Sequence, residues 1–226
     1  MDRWFRGALL VPSQYLRLYL GVELCLLYLG LPLLLYTQRA ALDGWIAPIL
    51  LLLAGGCTGL LWWDGSFDRR QLWNRTAFRR HLARTLRWFV PGALIVGVVF
   101  AGLRPDLLWW LPQSQTEVWV VLMVTYPVLS VYPQEIVFRA FFFHRYHPLF
   151  RTTSAKIVAS GIAFGLAHIV FANWTAPLMT SVMGGVFGLT YARTGSTLQA
   201  AVEHGLWGAF AFTVGLGWYV FSGAIG

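Results

Sequence analysis

The sequence predicts an all-α protein, a polytopic transmembrane helix bundle of about seven spans (six to eight) with a cytoplasmic N-terminus. Three observations predict it. Of 226 residues, 58% are apolar and only 12% charged, against roughly 25% charged in an ordinary soluble domain. The apolar residues lie in long blocks, several of which reach the ~20 residues that a helix needs to cross a bilayer. The basic residues, all Arg except Lys156, gather in a few connecting segments, where they set topology.

The predicted spans fall at about 15–36, 45–63, 88–103, 117–133 continuing toward 147, 154–172, 176–192 and 197–222. Before the first, Met1 to Gly7 carries Arg3 and Arg6. The run that follows exceeds a signal-peptide core and lacks a small-residue cleavage pattern, so it reads as an uncleaved first span. Between the second and third spans, Asp64 to Arg87 holds Arg69, Arg70, Arg75, Arg79, Arg80, Arg84 and Arg87. So basic a segment resists translocation and belongs in the cytoplasm.

That assignment puts the N-terminus inside and the 104–116 loop outside. It returns Arg139, Arg145, Arg151, Lys156 and Arg193 toward the cytoplasm and leaves Ser222 to Gly226 without charge. Within 64–87, Thr76 to Trp88 alternates Arg with Phe78, Leu82, Leu86 and Trp88. The pattern suits an amphipathic helix on an anionic leaflet or, equally, a solvated linker. No internal repeat divides the chain, so 1–226 reads as a single membrane domain. The arginine excess suggests a GC-rich genome and a bacterial inner (cytoplasmic) membrane.

The net charge of +8 follows from these loops and does not point to nucleic acid as a partner. Cys25 and Cys57 both lie in apolar blocks, where a free thiol behaves as a small hydrophobe. Neither suggests a disulfide framework or a cysteine metal site.

Polar side chains inside spans carry the functional argument, because an ionisable group in hydrocarbon is a functional-site hypothesis by default. In Tyr132-Pro-Gln-Glu-Ile-Val-Phe-Arg139, Glu135 and Arg139 stand four apart on one helical face and can pair. The pair is either purely structural or part of a site with Gln134, in a segment kinked by Pro127 and Pro133. His168 follows Phe164 on one face, with Gly161 and Gly165 giving small faces for close helix packing. Asn173 either orients His168 or sits at the membrane interface, the latter being favoured. Glu203 and His204 lie in the last span; His204 shares a face with Gly208, whereas Glu203 points about 100° away and supports from a distance.

At ~1.5 Å per residue, Glu135, His168 and His204 lie about 15, 20 and 10 Å from the cytoplasmic ends of their spans. Three helices would then deliver one carboxylate and two imidazoles to one buried cavity, the inventory for activating a water.

These residues resemble the CPBP or Abi family of intramembrane proteases, which includes the CAAX prenyl endopeptidases and bacteriocin-processing proteins. The family's motifs are Glu-Glu-x-x-x-Arg, Phe-x-x-x-His and His-x-x-x-Asn. They match here as Gln134-Glu135-Ile-Val-Phe-Arg139, Phe164-Gly-Leu-Ala-His168 and His204-Gly-Leu-Trp-Gly208. The resemblance covers 117–222 as a catalytic core. It implies that Glu and His polarise a water for attack on a peptide carbonyl and that the last His and Asn steady the oxyanion.

Two departures stand out: Gln134 replaces the first Glu, and Gly208 replaces the final Asn. The expected assignment makes Glu135 the base with His168 and His204 the oxyanion donor. Gln134 or Asn173 then serves as a further donor, and Arg139 and Glu203 support. No cofactor is favoured, although Glu135, His168 and His204 could hold zinc with one position open. The implied partner is a membrane-associated peptide or protein, lipidated or not. The alternatives are a catalytically silent relative that acts as a membrane binding or scaffold protein, and a transporter, which the missing repeat symmetry disfavours.

Overall fold

The computed structural model describes residues 13–42 and 44–220. The segment with Arg3 and Arg6, and the uncharged Ser222 to Gly226, lie outside them. Among the described residues there are seven long helices and no strand. Helix α1 spans 13–37 and includes a π-helical turn at Leu26–Gly30. It is followed by α2 (Ile46–Trp63), α3 (Arg75–Leu103), α4 (Thr116–Arg145), α5 (Thr153–Ala167), α6 (Thr175–Thr194) and α7 (Thr197–Val214).

The first five are long and apolar enough to cross a membrane. Helices α6 and α7 have 20 and 18 residues and a more mixed composition. On α6, Leu178, Val182, Val186 and Leu189 are nevertheless all exposed at helical spacing. An outward apolar stripe of that kind suits lipid rather than water. The chain is thus an all-α polytopic bundle.

Helix ends follow local chemistry. Asn74 accepts from the Ala77 amide at 2.9 Å, Thr152 from Ala155 at 3.1 Å and Ser196 from Gln199 at 3.1 Å, so α3, α5 and α7 each begin on a side-chain cap. Helices α6 and α7 stop at Gly195 (φ 56°) and Gly215 (φ 111°), left-handed positions that favour glycine. Helix α3 begins at Arg75, so most of the arginine-rich 64–87 segment is helical. Ala77 and Thr85 are buried on one side while Arg79, Arg80, Arg84 and Arg87 are exposed on the other.

Helix α4 runs through the middle of the bundle. Every residue from Glu135 to Phe143 is buried, as expected of a helix that is apolar nearly all round and packed on all sides. It is not a regular α-helix, because π-helical turns occupy Pro127–Val131 and Ile136–Phe141. Such turns leave carbonyls open for other partners. The Tyr28 hydroxyl of α1 donates to the Val137 carbonyl at 2.8 Å, and the Ser160 hydroxyl of α5 donates to the Phe138 carbonyl at 2.7 Å. Around this helix Tyr28, Phe138, Phe142 and Tyr146 meet edge to face.

Helices α5 and α6 pack closely through small residues. A Cβ on Gly161 would meet the Gly185 amide and the Ser181 carbonyl at 2.9 Å, so glycine is what permits the approach.

Candidate active site

Three helices converge on a pair of imidazoles. His204 of α7 is buried, and its Nδ1 lies 2.9 Å from Oε1 of Glu135 on α4. The other carboxylate oxygen, Oε2, lies 3.2 Å from Nε of Arg139, and neither side chain of this ion pair has any solvent exposure. Arg139 also donates from one terminal nitrogen to the Ser160 hydroxyl at 2.9 Å and to the Phe138 carbonyl at 3.2 Å. Its guanidinium lies over the Phe164 ring at 5.1 Å. A carboxylate only accepts hydrogen bonds, so Nδ1 of His204 is the donor, and in the neutral ring Nε2 is left as an acceptor. The Tyr126 hydroxyl of α4 lies 3.1 Å from that nitrogen and donates to it.

The ring of His204 stacks on Phe187 of α6 with centroids 4.5 Å apart and meets Phe164 of α5 edge-on at 5.3 Å. Phe164 also touches the His168 ring at 4.7 Å, so the two imidazoles flank one aromatic ring. His168 caps the end of α5, where the chain tightens into the 3-10 turn His168–Phe171. Its Nδ1 donates to the Phe164 carbonyl at 2.7 Å, which leaves Nε2 unbonded.

Both histidines line a cavity of about 720 Å³ together with Tyr126, Ser130, Gln134 and Gly208. The remaining lining is mostly apolar. Leu27, Leu31 and Leu35 of α1 and Ile46, Leu50 and Leu53 of α2 form one wall.

The residues singled out from sequence are therefore not all together. Glu135 reaches His204 rather than His168, and it stands behind the imidazole rather than in the cavity lining. Gln134 does line the cavity; its amide nitrogen donates to the Ser130 hydroxyl at 2.7 Å and its Oε1 is buried without a partner. Asn173 is engaged with main chain: its amide nitrogen donates to the carbonyls of Phe171 and Tyr219, and its oxygen accepts from the Ala176 amide. It joins the start of α6 to the 3-10 turn Leu216–Val220 that follows α7. Glu203 is buried on the other face of α7, beside Thr190 of α6.

Among the described residues, no group of three or more His, Cys, Asp or Glu side chains gathers as a metal ion requires. Glu135, His168 and His204 do not form one, so they do not fit zinc as a ligand trio.

Sequence reasoning missed Tyr126. The signal that could have found it is Gly208, one turn after His204, because a missing side chain beside a buried imidazole leaves room that a neighbouring helix fills.

No curated protein and no solved structure matches the chain. Residues 112–210 match a protein family described as type II CAAX prenyl endopeptidase Rce1-like. That stretch contains all three motif segments and both imidazoles, and it makes the core of this membrane protein similar to the CAAX-type intramembrane proteases.

Proposed function

We propose that the chain is an intramembrane endopeptidase that hydrolyses a peptide bond of a membrane-associated protein or peptide, with water activated by Glu135 and His204. The observation that carries this reading is the 2.9 Å bond from His204 Nδ1 to Glu135, on an imidazole that borders a cavity of about 720 Å³. A carboxylate behind a histidine fixes its tautomer and its orientation, and supports the charge it acquires on taking a proton. Glu135 therefore acts through His204, which takes the role of base that the sequence assigned to Glu135 itself.

In the proposed reaction a water in the cavity gives a proton to Nε2 of His204 as its oxygen bonds to the substrate carbonyl carbon. The C–N bond then breaks, and the proton passes from His204 to the leaving amine. His168, with Nδ1 committed to the Phe164 carbonyl, offers Nε2 as a second acceptor that orients the water. Arg139 and Ser160 hold Glu135 in place from behind. The apolar lining suits a substrate that brings a hydrocarbon group. With the family match, this favours a peptide ending in a prenylated Cys-aliphatic-aliphatic-X sequence.

The test is cleavage of a quenched fluorescent prenylated peptide of that type by the purified chain in lipid vesicles. His204→Ala and His168→Ala are expected to lower kcat/KM by about 10²–10⁴-fold, the range for a positioned acid–base group, while Cys25→Ala keeps activity. Equal cleavage by wild type and both histidine variants would overturn the reading. Glu135→Gln, which keeps the shape but weakens the hold on His204, is expected to retain more activity than His204→Ala.

A second reading, a silent relative that binds a membrane partner, draws on the full burial of Glu135 against Arg139. It predicts partner binding indifferent to both histidine substitutions.

A further inference from the structure

We propose that Tyr126 is a catalytic residue of this site and that its hydroxyl donates a hydrogen bond to the oxygen of the substrate carbonyl as that oxygen becomes negative. The inference rests on the peptidase reading above and deepens it. Three observations carry it. The Tyr126 hydroxyl sits 3.1 Å from Nε2 of His204, on the side of the ring away from Glu135. Tyr126, His204 and Gly208 all line the same cavity. A Cβ built on Gly208 would collide with the Tyr126 hydroxyl and ring, so the phenol occupies the space that a side chain at 208 would otherwise take.

The helical geometry explains why this space matters. Position 208 lies one turn beyond His204 on the same face, so a side chain there would flank the imidazole. With glycine at 208, α7 offers no donor of its own, and α4 supplies one from across the bundle. Tyr126 is held for the task by its ring, which packs edge-to-face on Phe212 of α7 with centroids 5.1 Å apart.

In the free protein the hydroxyl hydrogen points to Nε2 of His204, the atom that must accept the water's proton. When water takes that place, the O–H turns about its C–O bond toward the carbonyl oxygen being attacked, which lies one bond away from the attacked carbon. No covalent bond to Tyr126 forms, and its proton stays on the phenol throughout. A donor aimed where charge develops lowers the barrier without binding the ground state more tightly.

The experiment compares wild type, Tyr126→Phe, Tyr126→Ala and Tyr126→Ala/Gly208→Asn on the prenylated peptide in vesicles, with thermal unfolding as the folding control. Tyr126→Phe keeps the ring and its packing. It is expected to lower kcat by about 10²–10³-fold, the range for one oxyanion donor, with KM and the unfolding midpoint little changed. In the Tyr126→Ala background the collision at 208 is relieved, so adding Gly208→Asn returns an amide donor beside His204 and is expected to recover at least about tenfold in kcat.

A Tyr126→Phe variant with unchanged or higher kcat would overturn the proposal, because the hydroxyl would then be only a packing group or a block on the base. If His204→Ala is inactive while Tyr126→Phe is fully active, the peptidase reading stands and the Tyr126 assignment falls. If the wild type cleaves nothing, both fall.

Discussion

Glu135 and Arg139 form an ion pair one helical turn apart in the C-terminal half of α4, with Oε2 and Nε 3.2 Å apart and both side chains wholly shielded from solvent. The pair is not isolated. Glu135 also accepts from His204, and Arg139 donates to Ser160 and to the Phe138 carbonyl, so α4, α5 and α7 meet at one charge-balanced node. Truncating one member leaves the other buried without its counter-charge, which destabilises by about 3–5 kcal/mol. Arg139→Ala is therefore expected to lower the unfolding midpoint in detergent strongly. Arg139→Lys keeps the charge but loses the planar donor set, and should fall between wild type and alanine.

The helix glycines divide into those that touch a partner, as both glycines of α5 do, and those that do not. A Cβ on Gly165 would strike the Pro177 carbonyl at 2.6 Å, and one on Gly161 meets backbone at 2.9 Å. Gly165→Ala and Gly161→Ala are each expected to destabilise by about 1–3 kcal/mol through overpacking. Because His168 closes the same helix, Gly165→Ala should also reduce peptide cleavage. On α2, Gly59 has nothing within 4 Å of the corresponding position. Gly59→Ala is expected to be neutral or to stabilise by up to about 1 kcal/mol. Thermal unfolding of the three variants side by side reads the contrast.

Asp64 lies just beyond the end of α2 and is buried, which by itself would raise its carboxyl pKa. Hydrogen bonds from the His144 ring at 2.8 Å and from the Ser66 amide and hydroxyl at 2.9 and 2.7 Å outweigh that effect and hold it below the ordinary carboxylate range. A carboxyl depressed in the folded state contributes stability that is present above its unfolded pKa, ~3.9, and is lost as pH falls through the lower folded value. Wild type should therefore lose stability relative to Asp64→Asn on acidification below about pH 4. At neutral pH the substitution is expected to cost about 1–3 kcal/mol. Unfolding midpoints of the two proteins across pH 3–7 test the sign.

Tyr28 ties α1 to the π-helical stretch of α4 through its bond to the Val137 carbonyl, 109 residues away. Both atoms are buried, so Tyr28→Phe leaves a carbonyl without a donor and is expected to cost about 1–3 kcal/mol. Val137 is two residues after Glu135, which bonds His204, and loosening it should shift the His204 side-chain NMR signal in a labelled sample. An unmoved signal would mean that α1 steadies the bundle without steadying the imidazole.

Much of the bundle is legible from hydropathy, because lipid selects long apolar runs and glycine marks their ends. The predicted spans at 176–192 and 197–222 correspond to Thr175–Thr194 and Thr197–Val214, the latter cut short at Gly215. The span expected at 88–103 continues a helix that starts at Arg75, so the Thr76 to Trp88 stretch, for which the sequence left an amphipathic helix and a solvated linker equally open, is helical, as the good helix propensity of arginine allows. The convergence of His168 and His204 on one cavity follows from spacing and depth. The partner of Glu135 does not, since a choice between two imidazoles on neighbouring helices turns on rotation of α4 by a fraction of a turn. The π-helical turns at 127–131 and 136–141 supply such rotation, and neither prolines nor periodicity specify where a π-turn falls. Tyr126 is hidden for the same reason, 78 residues from the nitrogen it touches.

The cavity wall built by Leu27, Leu31, Leu35, Ile46, Leu50 and Leu53 comes from helices outside the family-matched stretch. The imidazoles and this part of the lining therefore sit on separate portions of the chain. Changes in girth among those five leucines and Ile46 should alter what can be accommodated while leaving the Glu135–His204 bond untouched. If the proposed peptidase activity holds, admission and turnover would be separately adjustable, and a library confined to α1 and α2 should redraw the preferred guest at constant chemistry.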